Sequence, residues 1–215
     1  SSPDIATRLL LATDDAMAEE ARALAVALDG ENVKRQEEEA EILSAAKRIV
    51  QTVPDIGALP VIVVAGEGWH RGVVGIVASK LVDAFCKPAI VLAIENGVAH
   101  GSCRSIPAFD MLGALEANAD LFLKFGGHRQ AAGVTVDVAR LPEMRRRLTE
   151  YANAHLNPGD LIPRLRIDAP LGLREITGDV VEALMRLGPF GAANPKPIFR
   201  ASPVELAQPP RVLKE

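Results

Sequence analysis

The sequence predicts an α/β fold, in which a central mixed β-sheet is flanked by helices, with a helical connector before it and a short α+β segment after it. Two observations carry this prediction. Short β-branched runs alternate with helical periods between residues 59 and 154, which is the pattern of strands and helices packed in layers. Aromatic residues make up only 4% of a chain that is 48% hydrophobic, so we expect an aliphatic core.

Residues 1–52 have a helical and acidic sequence. Thr13 or Asp14 is a candidate N-cap for a first helix, which we expect to end at Asp29-Gly30. A second helix is expected to run from there to Gln51. Its apolar stripe is thin and its remaining surface is rich in glutamate, which favours a solvated connector between domains over an acidic metal site.

The middle of the chain contains the elements of the sheet. Their predicted order is strand 59–65, helix 73–85, strand 89–94, strand 98–103, helix 110–119, strand 133–138 and helix 141–154. Residues 95–97 form a tight Glu-Asn-Gly turn, which predicts that the strands on its two sides pair antiparallel.

The composition changes after Asn157-Pro-Gly159. Strand-like stretches at 163–169 and 197–206 flank a predicted helix at 179–187 and a turn-rich joint at 189–195. These elements are too few to close a core of their own, so we expect them to be the truncated start of an α+β, OB-like domain.

Bulk properties narrow the class of protein. The net charge of −4 argues against a surface that coats nucleic acid, but the acidic excess lies in residues 1–50, so a local anion site in the middle is compatible with it. No apolar run is long enough for a membrane span, and no secretory signal is recognisable. Cys86 and Cys103 are too few for a disulfide framework or a cysteine zinc site, so a reducing cytoplasmic setting is expected.

The segment Gly126-Gly-His-Arg-Gln-Ala-Ala-Gly133 has the composition of a ligand site. Gly126 and Gly127 allow the backbone to approach a ligand closely, and His128 and Arg129 add an imidazole and a guanidinium beside exposed backbone N–H groups. We interpret this segment as a phosphate-binding loop. The alternative is a glycine turn with a structural histidine.

A second motif, Gly101-Ser-Cys-Arg-Ser105, follows a predicted strand. Arg104 supplies a two-pronged donor, and Ser102 and Ser105 supply hydroxyls, which is the chemistry of phosphate recognition. Serine and arginine also occupy ordinary turns, so the motif is weak by itself. It gains weight because it and the glycine–histidine segment both adjoin strand ends of the same predicted sheet.

A third motif, Gly66-Glu-Gly-Trp-His-Arg-Gly72, lies between a strand and a helix. It loosely matches a dinucleotide-binding fingerprint, with Glu95 as the candidate ribose ligand. The side chains of Trp69, His70 and Arg71 put bulk where a pyrophosphate needs bare backbone, which disfavours NAD binding. His70 and Arg71 instead line a candidate anion site at a helix N-terminus.

Motifs that generate a nucleophile are not recognisable. The sequence shows no Asp-His-His cluster, no metal-ligand spacing, no nucleophile elbow and no P-loop. The chain therefore offers groups that bind anions without an evident catalytic centre.

Three segments, Gly68–Leu81, Gly101–Ser105 and Gly126–Gly133, together resemble the DHHA1 domain of the RecJ family. These proteins are the bacterial single-strand-specific 5′→3′ DNA exonucleases of the DHH phosphoesterase superfamily. Residues 23–36 resemble the end of the DHH domain and the start of a connecting helix, and residues 187–199 resemble the entry to an OB-type domain. The resemblance implies three parts. Residues 1–57 would be the end of the DHH domain with connecting helices, and residues 58–157 would be the DHHA1 domain. Residues 158–215 would be the truncated start of the OB-type nucleic-acid-binding domain.

For the parent protein, the resemblance implies hydrolysis of a DNA strand from its 5′ end with Mn²⁺ or Mg²⁺, in DNA repair and recombination. The family's metal ligands belong to its DHH domain, so we expect no metal site in this chain and no activity from it alone. The expected partner is the 5′ end of single-stranded DNA. For the parent protein, a single-strand-binding protein or a helicase is an expected partner. No association with a membrane is expected.

The resemblance also implies roles for individual residues. Arg104, with Ser102 and Ser105, would hold a phosphate of the strand, and His128 would approach the scissile or the adjacent phosphate. Trp69, His70 and Arg71 are weaker candidates for the same wall of the cleft.

Two alternatives remain open. DHHA1-type domains also resemble appended domains of alanyl-tRNA synthetase, which would make the chain a binding module related to tRNA. A DHH relative that acts on short oligonucleotides or cyclic dinucleotides is the other alternative. The OB-like tail favours a longer strand over this second alternative.

Overall fold

A long helix precedes the sheet. In the computed structural model, which describes residues 3–12, 17–52, 59–205 and 207–210, helix α1 spans Pro3–Leu11 and helix α2 spans Ala18–Gln51. The predicted break at Asp29-Gly30 is wrong, because α2 runs through it without interruption. A solvent-exposed helical glycine costs only about 1 kcal/mol, and the helix-favouring alanines, leucines and glutamates around it outweigh that cost. Thr13 and Asp14 lie outside the described residues.

A five-stranded mixed sheet follows, in the order β1-β2-β3-β5-β4. Its strands are β1 (Ile62–Glu67), β2 (Ala89–Glu95), β3 (Val98–Arg104), β4 (Lys124–His128) and β5 (Ala131–Asp137). The first two are parallel and the remaining neighbours are antiparallel. The turn after β2 therefore makes the predicted hairpin, with Asn96 and Gly97 both at positive φ.

Helices cover the sheet on two sides. Helix α3 (Val74–Phe85) and the C-terminal half of α2 pack on one face of β1 and β2, and helices α4 (Met111–Glu116) and α5 (Leu141–His155) pack on the other face. Each face has its own aliphatic cluster. The predicted helix over 110–119 is shorter than expected, since the chain tightens to a 3₁₀ turn at Ala119–Leu121.

Strand β4 is absent from the sequence prediction, which places a glycine turn there. Glycine is depleted in strands, and Gly126-Gly127 supplies no side chain to pack, so local sequence argues against a strand. The backbone ladder with β5 holds the segment extended all the same, from Lys124 opposite Thr135 to His128 opposite Ala131.

The chain divides into two compact units, Ser1–Ile162 and Pro163–Glu215. In the second unit, helix α6 (Gly178–Met185) matches the predicted helix. The two predicted strands shrink to a short parallel pair, β6 (Ala169–Pro170) and β7 (Phe199–Arg200). Among the described residues, no helix is both long enough and apolar enough to cross a membrane.

Candidate functional site

Three rows of side chains cross strands β3, β5 and β4 on one face of the sheet. Register sets these rows. The rows are His100–Thr135–Lys124, Ser102–Gly133–Gly126 and Arg104–Ala131–His128. Adjacent strands lie about 4.8 Å apart, so two residues of one row on outer strands are separated by about 10 Å. The residues between them, such as Ala99, Cys103, Ala132 and Val134, point to the opposite face and are buried in the core.

This face is open to solvent. Helices α2 and α3 cover β1 and β2, but their buried residues do not extend over β5 and β4. Lys124, Gly126, His128 and Gly133 are accordingly exposed. A groove of about 680 Å³ runs along it, lined by His100, Ser102, Lys124, Gly126, Gly133 and, from the loop before α3, Arg71.

The floor of the groove is bare backbone. A Cβ at Gly126 would meet no atom within 4 Å, and one at Gly133 would meet only the Gly101 carbonyl at 3.8 Å. Neither glycine has a positive φ, so nothing in the fold requires glycine at these two positions. Their effect is to let another molecule lie directly on the sheet.

Gly127 differs from its neighbour. Its φ is +150°, and a Cβ there would collide with the Ala131 carbonyl and with Ala132 Cα. Gly127 is therefore a structural glycine that closes the β4–β5 hairpin, whereas Gly126 belongs to the groove.

At one end of the groove, the Arg104 guanidinium folds back along its own strand. Arg104 Nη1 donates to Ser102 Oγ at 3.2 Å and to the Cys103 carbonyl at 2.8 Å. A Cβ on Gly75, in the first turn of α3, would come within 3.0 Å of Ser102 Oγ and 3.3 Å of Arg104 Nη2. Glycine at position 75 thus leaves room for the two side chains to lie between the helix and the strand.

The His128 end is held by a neighbouring loop. Ser105 N–H donates to the Gln130 carbonyl at 3.0 Å, and Met111 N–H donates to the Arg129 carbonyl at 3.0 Å. These bonds tie the β4–β5 turn to the residue that follows β3 and to the first residue of α4. The Ser105 hydroxyl is itself engaged, because it donates to the Phe109 carbonyl at 2.8 Å. Ser105 therefore supports the site rather than facing the groove.

At the other end, Arg71 reaches the sheet from the loop after β1. Arg71 Nη2 donates to His100 Nδ1 at 3.1 Å, and Thr135 Oγ1 lies 3.4 Å from the same nitrogen. A guanidinium can only donate, so Nδ1 is the acceptor and the imidazole carries its proton on Nε2. Arg71 is the one member of the Trp69-His70-Arg71 triplet that the structure brings into the groove.

Trp69 and His70 line a separate cavity of about 1210 Å³ between α2 and the end of β2. Its walls include Glu38, Glu41 and Glu95 together with Arg48 and Arg71, so carboxylates are in slight excess there. The Trp69 ring lies over Gly66, where a Cβ would strike it. It occupies the space above the glycine that a pyrophosphate would need, which removes the structural basis for dinucleotide binding.

The groove is electropositive. Among the described residues that line it, none is acidic, and the register places a single carboxylate on this face of the three strands, Asp137, next to Val98. Cys103 adds no negative charge beside Arg104, because burial raises the pKa of its thiol to about 12, only partly opposed by the Arg104 charge. The thiol is therefore neutral and not a nucleophile at neutral pH.

Sequence reasoning missed His100, Lys124 and Thr135. His100, Ser102 and Arg104 are polar residues at every second position of β3, and this alternation could have identified His100. Thr135, between the buried Val134 and Val136 of β5, showed the same alternation. Lys124 carried no such signal, because β4 was not predicted and only its pairing with β5 places Lys124 beside Thr135.

The described residues contain no group of three or more histidine, cysteine, aspartate or glutamate side chains that could hold a metal ion. The residues present in this part of the chain therefore do not fit the divalent cation that the family resemblance implies for its parent. The groove lining in this part of the chain instead supplies hydrogen-bond donors and cations, among them Arg71, Ser102 and Lys124.

Comparison with known proteins gives two domains. The model of the DHHA1 domain matches residues 58–154, and the model of the RecJ OB domain matches residues 167–215. Neither matched model is that of a DHH domain.

Relatives and solved structures agree with these matches. The chain is 43% identical over 197 residues to the single-stranded-DNA-specific exonuclease RecJ of Bacillus subtilis, which covers 90% of the chain and 24% of that protein. Crystal structures of RecJ from Thermus thermophilus in complex with Mg²⁺ and with Mn²⁺ match 91% of the chain at 33% identity, with TM-scores of 0.79 and 0.78. The chain covers 29% and 28% of those two chains, so it spans about a quarter of the length of the proteins it matches.

Proposed function

The chain belongs to the RecJ family, and we propose on that premise that its open sheet face grips the phosphates at the 5′ end of a DNA single strand. The observation that carries this proposal is the register of β3, β5 and β4. It gathers Arg104, Ser102 and His128 on an exposed face whose centre is glycine backbone.

The chemistry of that face suits a phosphate. Arg104 has two donors tied to Ser102 and Cys103, which pre-orients its guanidinium and lowers the entropy cost of binding an anion. His128 lies one strand beyond Ala131 in the same row and is exposed. Arg129, in the adjacent turn, extends the positive surface.

The groove also suits a single strand rather than a duplex. A sugar–phosphate backbone can lie on the Gly126–Gly133 floor, and β4 at the edge of the sheet leaves one side open. The described residues that line the groove present no array of side chains that would read base edges, so we propose that the grip is independent of sequence.

For the parent protein we propose 5′→3′ exonuclease activity on single-stranded DNA with Mn²⁺ or Mg²⁺ bound by a DHH domain. The named relatives and the metal-bound structures of RecJ support this proposal. In it the residues described above hold and orient the strand, and they do not ligate the metal. Roles in DNA repair and recombination, a cytoplasmic location and helicase or single-strand-binding partners are part of the same proposal.

The test is a binding titration with a fluorescent deoxythymidine oligonucleotide at fixed low salt, with either a 5′-phosphate or a 5′-hydroxyl. We expect the chain to prefer the 5′-phosphate, and Arg104→Gln and His128→Gln each to weaken that preference about tenfold, the value of one charge-assisted hydrogen bond.

Arg146→Gln is the matched control. Arg146 lies on α5, behind the opposite face of the sheet, where it pairs with Glu143 and Glu150. Removal of its charge should leave the preference unchanged. Equal affinity for the two oligonucleotides would contradict the proposal, and tighter binding of structured RNA would favour the module related to tRNA.

A further inference from the structure

We propose that the groove contains a second phosphate subsite, formed by Arg71, His100 and Lys124, which takes the first internucleotide phosphate of a strand whose 5′-phosphate lies at Arg104. This inference rests on the proposed function and adds to it the number of phosphates held and the direction of the strand in the groove.

The first argument is the arrangement of donors. Arg71 is held on the sheet by its hydrogen bond to His100 Nδ1, so its charge is fixed at the row that also contains Thr135 and Lys124. The acceptor role of Nδ1 leaves the Nε2–H of His100 as a further donor. A guanidinium, an imidazole N–H and an ammonium thus belong to one row of the sheet, at the same end of the groove.

The second argument is the lack of internal compensation. Lys124 is exposed, and among the residues that the structure describes no carboxylate pairs with it. Arg71 contacts a neutral imidazole and no carboxylate in the described part of the chain. Asp137 lies in the next row of the sheet, but the described residues that line the groove include no carboxylate, so the two unpaired cations favour an anionic ligand.

The third argument is spacing. His100 and Ser102 are two residues apart on β3, which corresponds to about 6.8 Å. The Arg104 guanidinium lies at the level of Ser102, because it donates to the Ser102 hydroxyl. The two cationic ends are therefore separated by a distance that one extended nucleotide spans, and the Gly126–Gly133 floor lies beneath the sugar that would join the two phosphates.

The experiment uses this chain and three 5′-phosphorylated oligonucleotides: unmodified, with a neutral methylphosphonate at the first internucleotide linkage, and with the same change at a linkage far from the 5′ end. We expect the first-linkage change to weaken binding about five- to tenfold and the distant change to weaken it far less.

Lys124→Gln should abolish the first-linkage effect while it preserves the preference for a 5′-phosphate over a 5′-hydroxyl. Arg104→Gln should do the reverse. Lys47→Gln, which removes an exposed lysine from α2 outside both cavities, is the matched control and should leave both effects intact.

The outcomes separate the two proposals. A retained 5′-phosphate preference with no first-linkage effect, or with an effect that survives Lys124→Gln, would overturn the second subsite alone. No preference for the 5′-phosphate would overturn the proposed function, and the second subsite with it.

Discussion

Adjacent glycines in β4 have opposite roles. Gly127 has a left-handed backbone and no room for a Cβ, whereas Gly126 has an ordinary φ and open space above it. The sequence alone cannot distinguish the roles of these two glycines, since both are conformationally flexible residues that precede His128. Their backbone conformations in the hairpin decide which one is structural and which one faces the groove.

Alanine substitutions at these two glycines should therefore differ. Gly127→Ala is expected to destabilise the fold by about 2 kcal/mol or more, because it adds steric overlap to an unfavourable φ. Gly126→Ala is expected to change stability by about 0.5 kcal/mol or less, yet to weaken oligonucleotide binding about tenfold, because its methyl group lifts the strand from the floor.

Urea unfolding monitored by circular dichroism and the anisotropy titration measure the two quantities. Equal stability of both variants would contradict the structural assignment of Gly127. Unchanged binding by Gly126→Ala would show that the strand does not lie on this floor.

At the scale of elements, one buried carboxylate links helix α2 to helix α3. Glu39 of α2 forms an ion pair with Lys80 of α3 and, at 2.8 Å, with Arg35 one turn earlier in α2. The Lys80 hydrogen bond is the main cause that holds the pKa of Glu39 below its ordinary value, and burial partly opposes it. The ion pair fixes the long helix against the sheet layer beside Ile42 and Ala46.

This ion pair predicts a pH dependence. A carboxyl group with a lowered pKa in the folded state contributes stability above its unfolded pKa, near 4.5, and loses that contribution as the pH falls through the lower folded value. Glu39→Gln should lower the free energy of unfolding at neutral pH by about 1–2 kcal/mol. This value already allows for solvent screening of the ion pairs, because Lys80 and Arg35 are substantially exposed.

The same variant should flatten the loss of stability between neutral and acidic pH. Thermal unfolding across that range measures the effect, with Glu37→Gln, an exposed neighbour on α2, as the control. A variant whose acid sensitivity equals that of the parent chain would rule out the Glu39 ion pair as its source.

At the scale of the molecule, both aliphatic clusters belong to the first unit, Ser1–Ile162. Large apolar side chains of the second unit, among them Leu165, Leu173 and Met185, are exposed. The stability of the sheet and the geometry of the groove thus depend on residues before Pro163.

A chain that ends at Ile162 should therefore keep the unfolding midpoint of the sheet domain and its preference for a 5′-phosphate. Differential scanning calorimetry and the anisotropy titration would measure these two properties. A fall in the midpoint by more than about 4–8 °C, which corresponds to about 1 kcal/mol in a small domain, would show that the second unit contributes to the first unit's core.

Local sequence determined much of this protein. The β-branched runs of β1 and β2, the turn at Asn96-Gly97 and the periodicity of α3 and α5 predicted the α/β layers, because propensity and turn chemistry act over a few residues. The three motifs that resemble the RecJ family were also readable directly.

Three features became known only from the tertiary structure: the presence of β4 in the sheet, the continuity of α2 through Gly30, and the set of residues that line the groove. Arg104 and His128, or His100 and Lys124, become neighbours only through pairing with β5, and that pairing depends on hydrogen bonds between segments distant in sequence. A shift of one residue in register would turn Ser102 and Lys124 to the buried face. The sequence motifs indicated Ser102, Arg104 and His128, but strand register, which is non-local, decided that these residues share a face with His100 and Lys124.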